Sequence, residues 1–242
     1  MLIGIVLQTA GFIAASFAYR IWHLYLSQGL LIGLGLGFIF VPCTPIVSQW
    51  FSKKRTLATG IGSAGSGVGG LLFSFGIQAM IDNISLAWSF RITAAICGVM
   101  NLLATALIRN RNAAIKPPQL GFDTKLIRRY DVLLVLAWGF TSMLGYITLL
   151  YSLPAFSRTI GLSKTQGAAI SAYLNLGTAV GRPMVGFITD KYGRIEVTGI
   201  FTFLCGVTCF AIWIPATSYG VTILFAILSG AVVGVFWMVR GF

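Results

Sequence analysis

Eight long apolar stretches, separated by short polar segments, occupy most of this chain of 242 residues. They cover residues 2–19, 25–47, 56–81 and 87–108, then 132–152, 166–188, 197–214 and 219–239. A helix that crosses a bilayer takes about 20 apolar residues. Each stretch is near that length. Helices and closed barrels are the only forms that satisfy their backbone in lipid. A barrel needs short strands of alternating polarity, and these runs are continuous. The expected fold is therefore an all-α polytopic membrane protein with about eight transmembrane helices. Charged residues make up only 9% of the chain, against about 25% in soluble domains. That is too little polar surface to cover a globule in water. The first run lacks a basic segment ahead of it and is followed at once by further spans, so it reads as a span rather than a signal peptide.

Net charge is +12, from 17 Lys and Arg against 5 Asp and Glu. Alternating spans divide the loops into two sets. One set holds Lys53, Lys54, Arg55, Arg109, Arg111, Lys116, Lys125, Arg128, Arg129, Lys191, Arg194 and Arg240, which is 12 basic residues. The other holds Arg20, Arg158 and Lys164, which is 3. The positive-inside rule makes the first set cytoplasmic and places both ends of the chain there. The basic excess is thus a topological signal, and nucleic acid is not an expected partner. The lipid bilayer is. Residues 109–131, with Pro117-Pro118 and six basic residues, read as a cytoplasmic linker between a four-span half, 1–108, and a second four-span half, 132–242.

The inventory of reactive side chains argues against an enzyme. Cys43, Cys97, Cys205 and Cys209 lie in apolar runs without CxxC spacing and read as small packing residues. No Asp, Glu or His falls deep in a span, and the one histidine, His23, is expected in the first external loop. A membrane protease would need a carboxylate pair, a Ser/His pair or HExxH in the membrane. The acids of the cytoplasmic side, Asp123, Asp131, Asp190 and Glu196, form no paired motif. Neither a metal nor a cofactor is implied. Two cations do lie within spans. Arg91 is about six residues from the external end and can snorkel to headgroups. Arg182 is eight residues before Asp190, about 12 Å along a helix, which puts it near the middle of a core with a half-thickness of about 15 Å. A charge there costs at least ~2.5 kcal/mol. Arg182 should therefore face a wet cavity, a carbonyl of a neighbouring helix or an anionic ligand, which a guanidinium can hold bidentately. Asn175 and Thr178 are expected beside it as neutral partners, and Pro183 follows at a potential kink.

Three segments carry more specific information. Glycines at four-residue spacing (Gly29, Gly33, Gly37; Gly65, Gly69; Gly177, Gly181; Gly230, Gly234) are ridges along which helix backbones can approach. The segment from Trp50 and Phe51 through Lys53, Lys54 and Arg55 to Gly60, Ala64, Gly65 and Gly69 joins an aromatic pair and a basic triplet to a helix of small residues. Such a triplet anchors to anionic headgroups. It resembles the signature of the monocarboxylate transporter family, [YF]-F-x-[KR]-[RK]-R-x-x-A-x-G-x-x-x-A-G-x-x-x-G. The turn Gly186-Phe187-Ile188-Thr189-Asp190-Lys191-Tyr192-Gly193-Arg194 resembles the major facilitator motif G-x-x-x-D-[RK]-x-G-R. Just upstream, Asn175-Leu176-Gly177-Thr178-Ala179-Val180-Gly181-Arg182-Pro183 is similar to helix 8 of fungal homologues of that family.

These resemblances imply a fungal-type monocarboxylate porter of the major facilitator superfamily, covering helices 3 to 10 of twelve, a partial 4+4 version of the usual 6+6. They imply alternating-access transport of a small organic anion or related metabolite. They also imply a cytoplasmic gating lock built from Gly186, Asp190, Lys191, Gly193 and Arg194. Where animal members carry an Asp four residues before the helix 8 arginine, this chain has Thr178, which argues against a proton-handling carboxylate there. The plasma membrane is the family default, with the vacuolar membrane as alternative. Neither substrate identity nor oligomeric state is readable. The competing expectations are a truncated, non-transporting membrane fragment or pseudogene product, and a membrane receptor or scaffold.

Overall fold

The structure is a computed structural model, and it describes residues 1–51, 53–109, 128–233 and 235. Every element among the described residues is helical. Helix α1 is Leu2–Ser16; α2, Ile21–Leu24, runs through a π-helical segment, Tyr25–Leu31, into α3, Ile32–Trp50. Helices α4, Arg55–Asn83, and α5, Leu86–Leu107, follow. Beyond lie α6, Tyr130–Thr159; α7, Lys164–Tyr192; α8, Arg194–Thr208, continuing as a π segment, Cys209–Trp213; and α9, Tyr219–Val233. By length and hydropathy, five rods can cross a membrane: Ile21–Val47, Arg55–Asn83, Leu86–Leu107, Tyr130–Thr159 and Arg194–Trp213. α1 and α9 are shorter apolar helices. The chain is an all-α, polytopic membrane protein.

Several boundaries depart from the sequence expectation. His23 is not in a loop but in α2, edge-on to the rings of Tyr19 and Trp22 at 4.4 and 4.1 Å. α6 does not stop at residue 152; it continues through Pro154 to Thr159. Its 30 residues span about 45 Å, longer than the hydrocarbon, which a tilted helix accommodates. Pro42, Pro45 and Pro183 likewise sit inside helices, as membrane helices tolerate. Most of the expected linker at 109–131, with Arg111, Lys116 and Lys125, lies outside the described residues, as do Gly234, Arg240 and the end of the last expected span.

The helices form two compact units, Met1–Trp50 with Gly76–Ile115, and Phe51–Phe75 with Lys116–Phe242. In the first unit α1 packs on α3 and α5. A Cβ on Gly35 would lie 2.7 Å from the Gln8 amide nitrogen and 2.8 Å from the Gly4 carbonyl oxygen, so only glycine permits this approach. Asn101 Nδ2 donates to Gln8 Oε1 at 3.0 Å, a polar contact that holds α1 to α5 in an apolar setting. Arg91 Nε donates to Ser16 Oγ at 3.2 Å, and its guanidinium lies over the rings of Phe17 and Trp88.

The second unit is organised around α7. This helix starts from a capping box: the Gln166 amide donates to Ser163 Oγ at 3.2 Å, and the Ser163 amide donates to Gln166 Oε1 at 2.9 Å. Its polarity is inverted relative to a helix in water. Leu176, Val180, Met184 and Phe187 form an exposed apolar stripe, while the buried face carries Gly177, Thr178, Gly181, Arg182, Gly186 and Thr189. Lipid rewards the first face, and close helix packing rewards the second. Leu149, Leu153, Ile170, Leu174, Phe225 and Ala226 form the core between α6, α7 and α9. Small residues bring α7 and α9 into backbone contact: a Cβ at Gly177 would collide with the Ile227 carbonyl, and one at Gly230 with that of Leu174.

Candidate functional site

Arg182 lies on the buried face of α7 and is 5% exposed. Its partners come from α4. Nη1 donates to the Ser63 carbonyl oxygen at 2.8 Å and to Ser66 Oγ at 2.6 Å. The Ser66 hydroxyl in turn donates to the same Ser63 carbonyl at 2.8 Å. Both partners are neutral, and Nε is buried without a hydrogen-bond partner. The guanidinium is thus fixed at one edge and keeps an unused donor. A buried polar group in that state costs free energy until it is paired.

α4 can reach Arg182 because both helices are smooth where they meet. A Cβ at Gly67 would lie 2.5 Å from the Ala179 amide nitrogen and 2.7 Å from the Asn175 carbonyl oxygen. Gly70 leaves room for the Asn175 side chain, whose Nδ2 donates to the Ser171 carbonyl at 2.9 Å. Asn175 and Arg182 therefore both face α4. Thr178 does not join them. Its hydroxyl contacts the carbonyls of Leu174 and Gly230, at 3.0 and 3.2 Å, and ties α7 to α9. The spacing of Thr178 from Arg182 puts it one turn away, but its angular position turns it toward the opposite neighbour.

At the C-terminal end of α7 the turn motif is built around one carboxylate. Asp190 Oδ1 accepts from the Thr56 amide at 3.2 Å, and Oδ2 accepts from the Leu57 amide at 2.8 Å. These are free donors in the first turn of α4, where the helix dipole favours an anion. Gly186, one turn earlier, sets the approach: a Cβ there would lie 2.8 Å from the Thr56 carbonyl oxygen. Lys191 Nζ sits over the Tyr192 ring at 5.2 Å. Gly193, with φ of 103°, is the single residue between α7 and α8, and only glycine adopts that backbone readily. Arg194 opens α8. Of the upstream signature, Lys53 and Lys54 are exposed, Arg55 opens α4 half-buried, Gly60 is buried and Ala64 half-buried. Gly65 and Gly69 face open space. The glycines of α4 that meet α7 include Gly67 and Gly70, two residues and one residue off the Gly65–Gly69 ridge read from the sequence. Ser63 and Ser66 were missed as site residues. Their spacing of three within a run of small residues was the available signal.

A family model described as Major Facilitator Superfamily matches residues 1–240. The chain belongs to that superfamily. Among curated relatives, it is 38% identical over 241 residues to a probable transporter of Saccharomyces cerevisiae, MCH2, covering 97% of this chain and 51% of the relative. It is 33% identical over 247 residues to an uncharacterized transporter of the same yeast, ESBP6, covering 97% of this chain and 37% of the relative. It is 31% identical over 235 residues to the MFS-type transporter pynF of Aspergillus niger, covering 94% and 52%. The chain thus spans about half the length, or less, of these relatives. As a facilitator it is an integral, multi-pass membrane protein whose fungal relatives are named as transporters.

Proposed function

We propose that the protein carrying this chain moves a small organic anion across a membrane by alternating access, in the manner of a monocarboxylate porter. The observation that carries the reading is Arg182: a guanidinium 5% exposed, held by neutral groups and with a buried Nε unpaired. Among the described residues the acids Asp82, Asp131, Asp190 and Glu196 lie near helix ends, and a carboxylate of a ligand suits the unused donor of Arg182. Asn175, on the α4 side of α7, is the neutral companion; Thr178 supports the site from behind through α9. Asp190, with Gly186, Lys191, Gly193 and Arg194, serves as the cytoplasmic lock. The relatives' names support transport, and the motif resemblance supports the anionic class.

The test is flux in proteoliposomes holding the purified protein. Labelled monocarboxylates should exchange across the membrane faster than the corresponding neutral amides. Equal rates for the charged and neutral compounds would contradict an anion site. The same reading places Lys53–Arg55, Lys191 and both ends of the chain in the cytosol, most simply beneath the plasma membrane. A cysteine introduced at Lys191 should resist an impermeant thiol reagent in intact cells, whereas one at Thr159 should react. The reverse labelling pattern would invert the assigned orientation.

A further inference from the structure

Arg182 meets two demands that exclude each other. As the anion site read above, its guanidinium must be open to a carboxylate. In the structure α4 occupies it: Nη1 donates to the Ser63 carbonyl oxygen at 2.8 Å and to Ser66 Oγ at 2.6 Å. The side chain is 5% exposed, and its Nε is buried and unpaired. This arrangement leaves a carboxylate no approach to Nε.

α4 also fills the space a ligand would need. Up to Phe75 it belongs to the same compact unit as α7. A Cβ at Gly67 would lie 2.5 Å from the Ala179 amide nitrogen and 2.8 Å from the Ala179 Cα, so not even a methyl group fits there. One at Gly70 would collide with the Asn175 side chain. At the start of α4, the amides of Thr56 and Leu57 donate to Asp190. These ties are hydrogen bonds and glycine contacts rather than interlocked long side chains. Small residues let backbones approach closely, and such faces can part without rebuilding a core.

What holds the guanidinium to α4 is replaceable. Ser63 and Ser66 offer it a carbonyl and a hydroxyl, two neutral oxygens. A carboxylate offers two oxygens of opposite charge, in a spacing that the fork matches. We infer that α4 and the anion compete for Arg182: α4 covers the empty site, and a bound carboxylate takes the places of Ser63 and Ser66. The inference rests on the reading of Arg182 as the anion site. Its consequence is a sign. A ligand's apparent affinity falls as the competent fraction of the protein falls. Weakening the cover must therefore tighten binding, and fixing the cover must abolish it.

The experiment measures equilibrium binding of labelled acetate and benzoate to the purified protein, with benzamide as the neutral control. Ser66→Ala deletes one acceptor that α4 offers to Nη1. It should lower the apparent Kd by about tenfold, the scale of one hydrogen bond to a charged group. A disulfide fixes the cover. A Cβ at Gly70 would lie 2.5 Å from Asn175 Cγ, itself one bond from Cβ, which is within disulfide reach. Gly70→Cys/Asn175→Cys, with the four native cysteines replaced by serine, should bind when reduced, lose binding when oxidised and regain it on reduction. Unchanged or weaker binding in Ser66→Ala would overturn the cover and leave the anion site standing, as would equal, measurable binding by the oxidised and reduced pair. If the reduced pair does not bind, Ser66→Ala decides alone. Failure of wild type to bind either carboxylate in preference to benzamide would overturn the cover and the anion reading together.

Discussion

Asp190 shows how a single side chain can serve two elements. It ends α7, yet its two oxygens receive the amides of Thr56 and Leu57 that open α4. The sequence signalled an acid beside cations at a turn. It could not signal a helix N-terminus 133 and 134 residues away, because that meeting is set by tertiary packing. Asp190→Ala should lower stability by about 1–2 kcal/mol, the range for losing a charged cap, and Asp190→Asn should lose less because it keeps one acceptor. Thermal unfolding in detergent by circular dichroism checks this; an Asp190→Ala midpoint equal to wild type would remove the capping role. Arg182 divides in a similar way. Its depth follows from counting residues along α7, whereas Ser63 and Ser66 come from a helix 119 and 116 residues distant. Thr178 shows the converse: the right distance along the chain, but a partner on α9.

At the scale of elements, the eight helical rods among the described residues were legible as apolar runs, and five of them have the length and hydropathy to cross a bilayer. Their details were not. The π segments at Tyr25–Leu31 and Cys209–Trp213, the continuation of α6 past Pro154 and the one-residue link at Gly193 are fixed by packing that no periodicity encodes. The glycine ridges divide likewise. Gly177 and Gly230 meet backbone of the facing helix, while Gly33, Gly37, Gly65 and Gly69 meet nothing within 4 Å. A Cβ at Gly177 has no flexible neighbour to displace. Gly177→Ala should therefore destabilise by roughly 1–3 kcal/mol, the usual cost of overpacking. Gly199→Ala, in α8 with nothing within 4 Å, should be neutral or slightly stabilising. Thermal shift of the two variants side by side gives the comparison; an equal effect at both positions would contradict the close α7–α9 approach.

For the whole molecule, the chemistry concentrates on one inverted helix. α7 turns leucine, valine, methionine and phenylalanine outward and keeps the Arg182 guanidinium buried. The superfamily match supplies the transport framework, and Arg182 supplies the charge that would choose an anion. The central claim is that this charge binds the transported species rather than only joining α7 to α4. Flux of a labelled carboxylate should be measured in proteoliposomes with wild type, Arg182→Lys and Arg182→Gln, each reconstituted to equal protein content. The account predicts that Arg182→Gln abolishes saturable anion flux. Arg182→Lys should retain reduced flux with a raised half-saturation, because an ammonium keeps the charge but loses the bidentate fork. Wild-type rate and half-saturation in both variants would contradict it and leave Arg182 as a structural link between two helices.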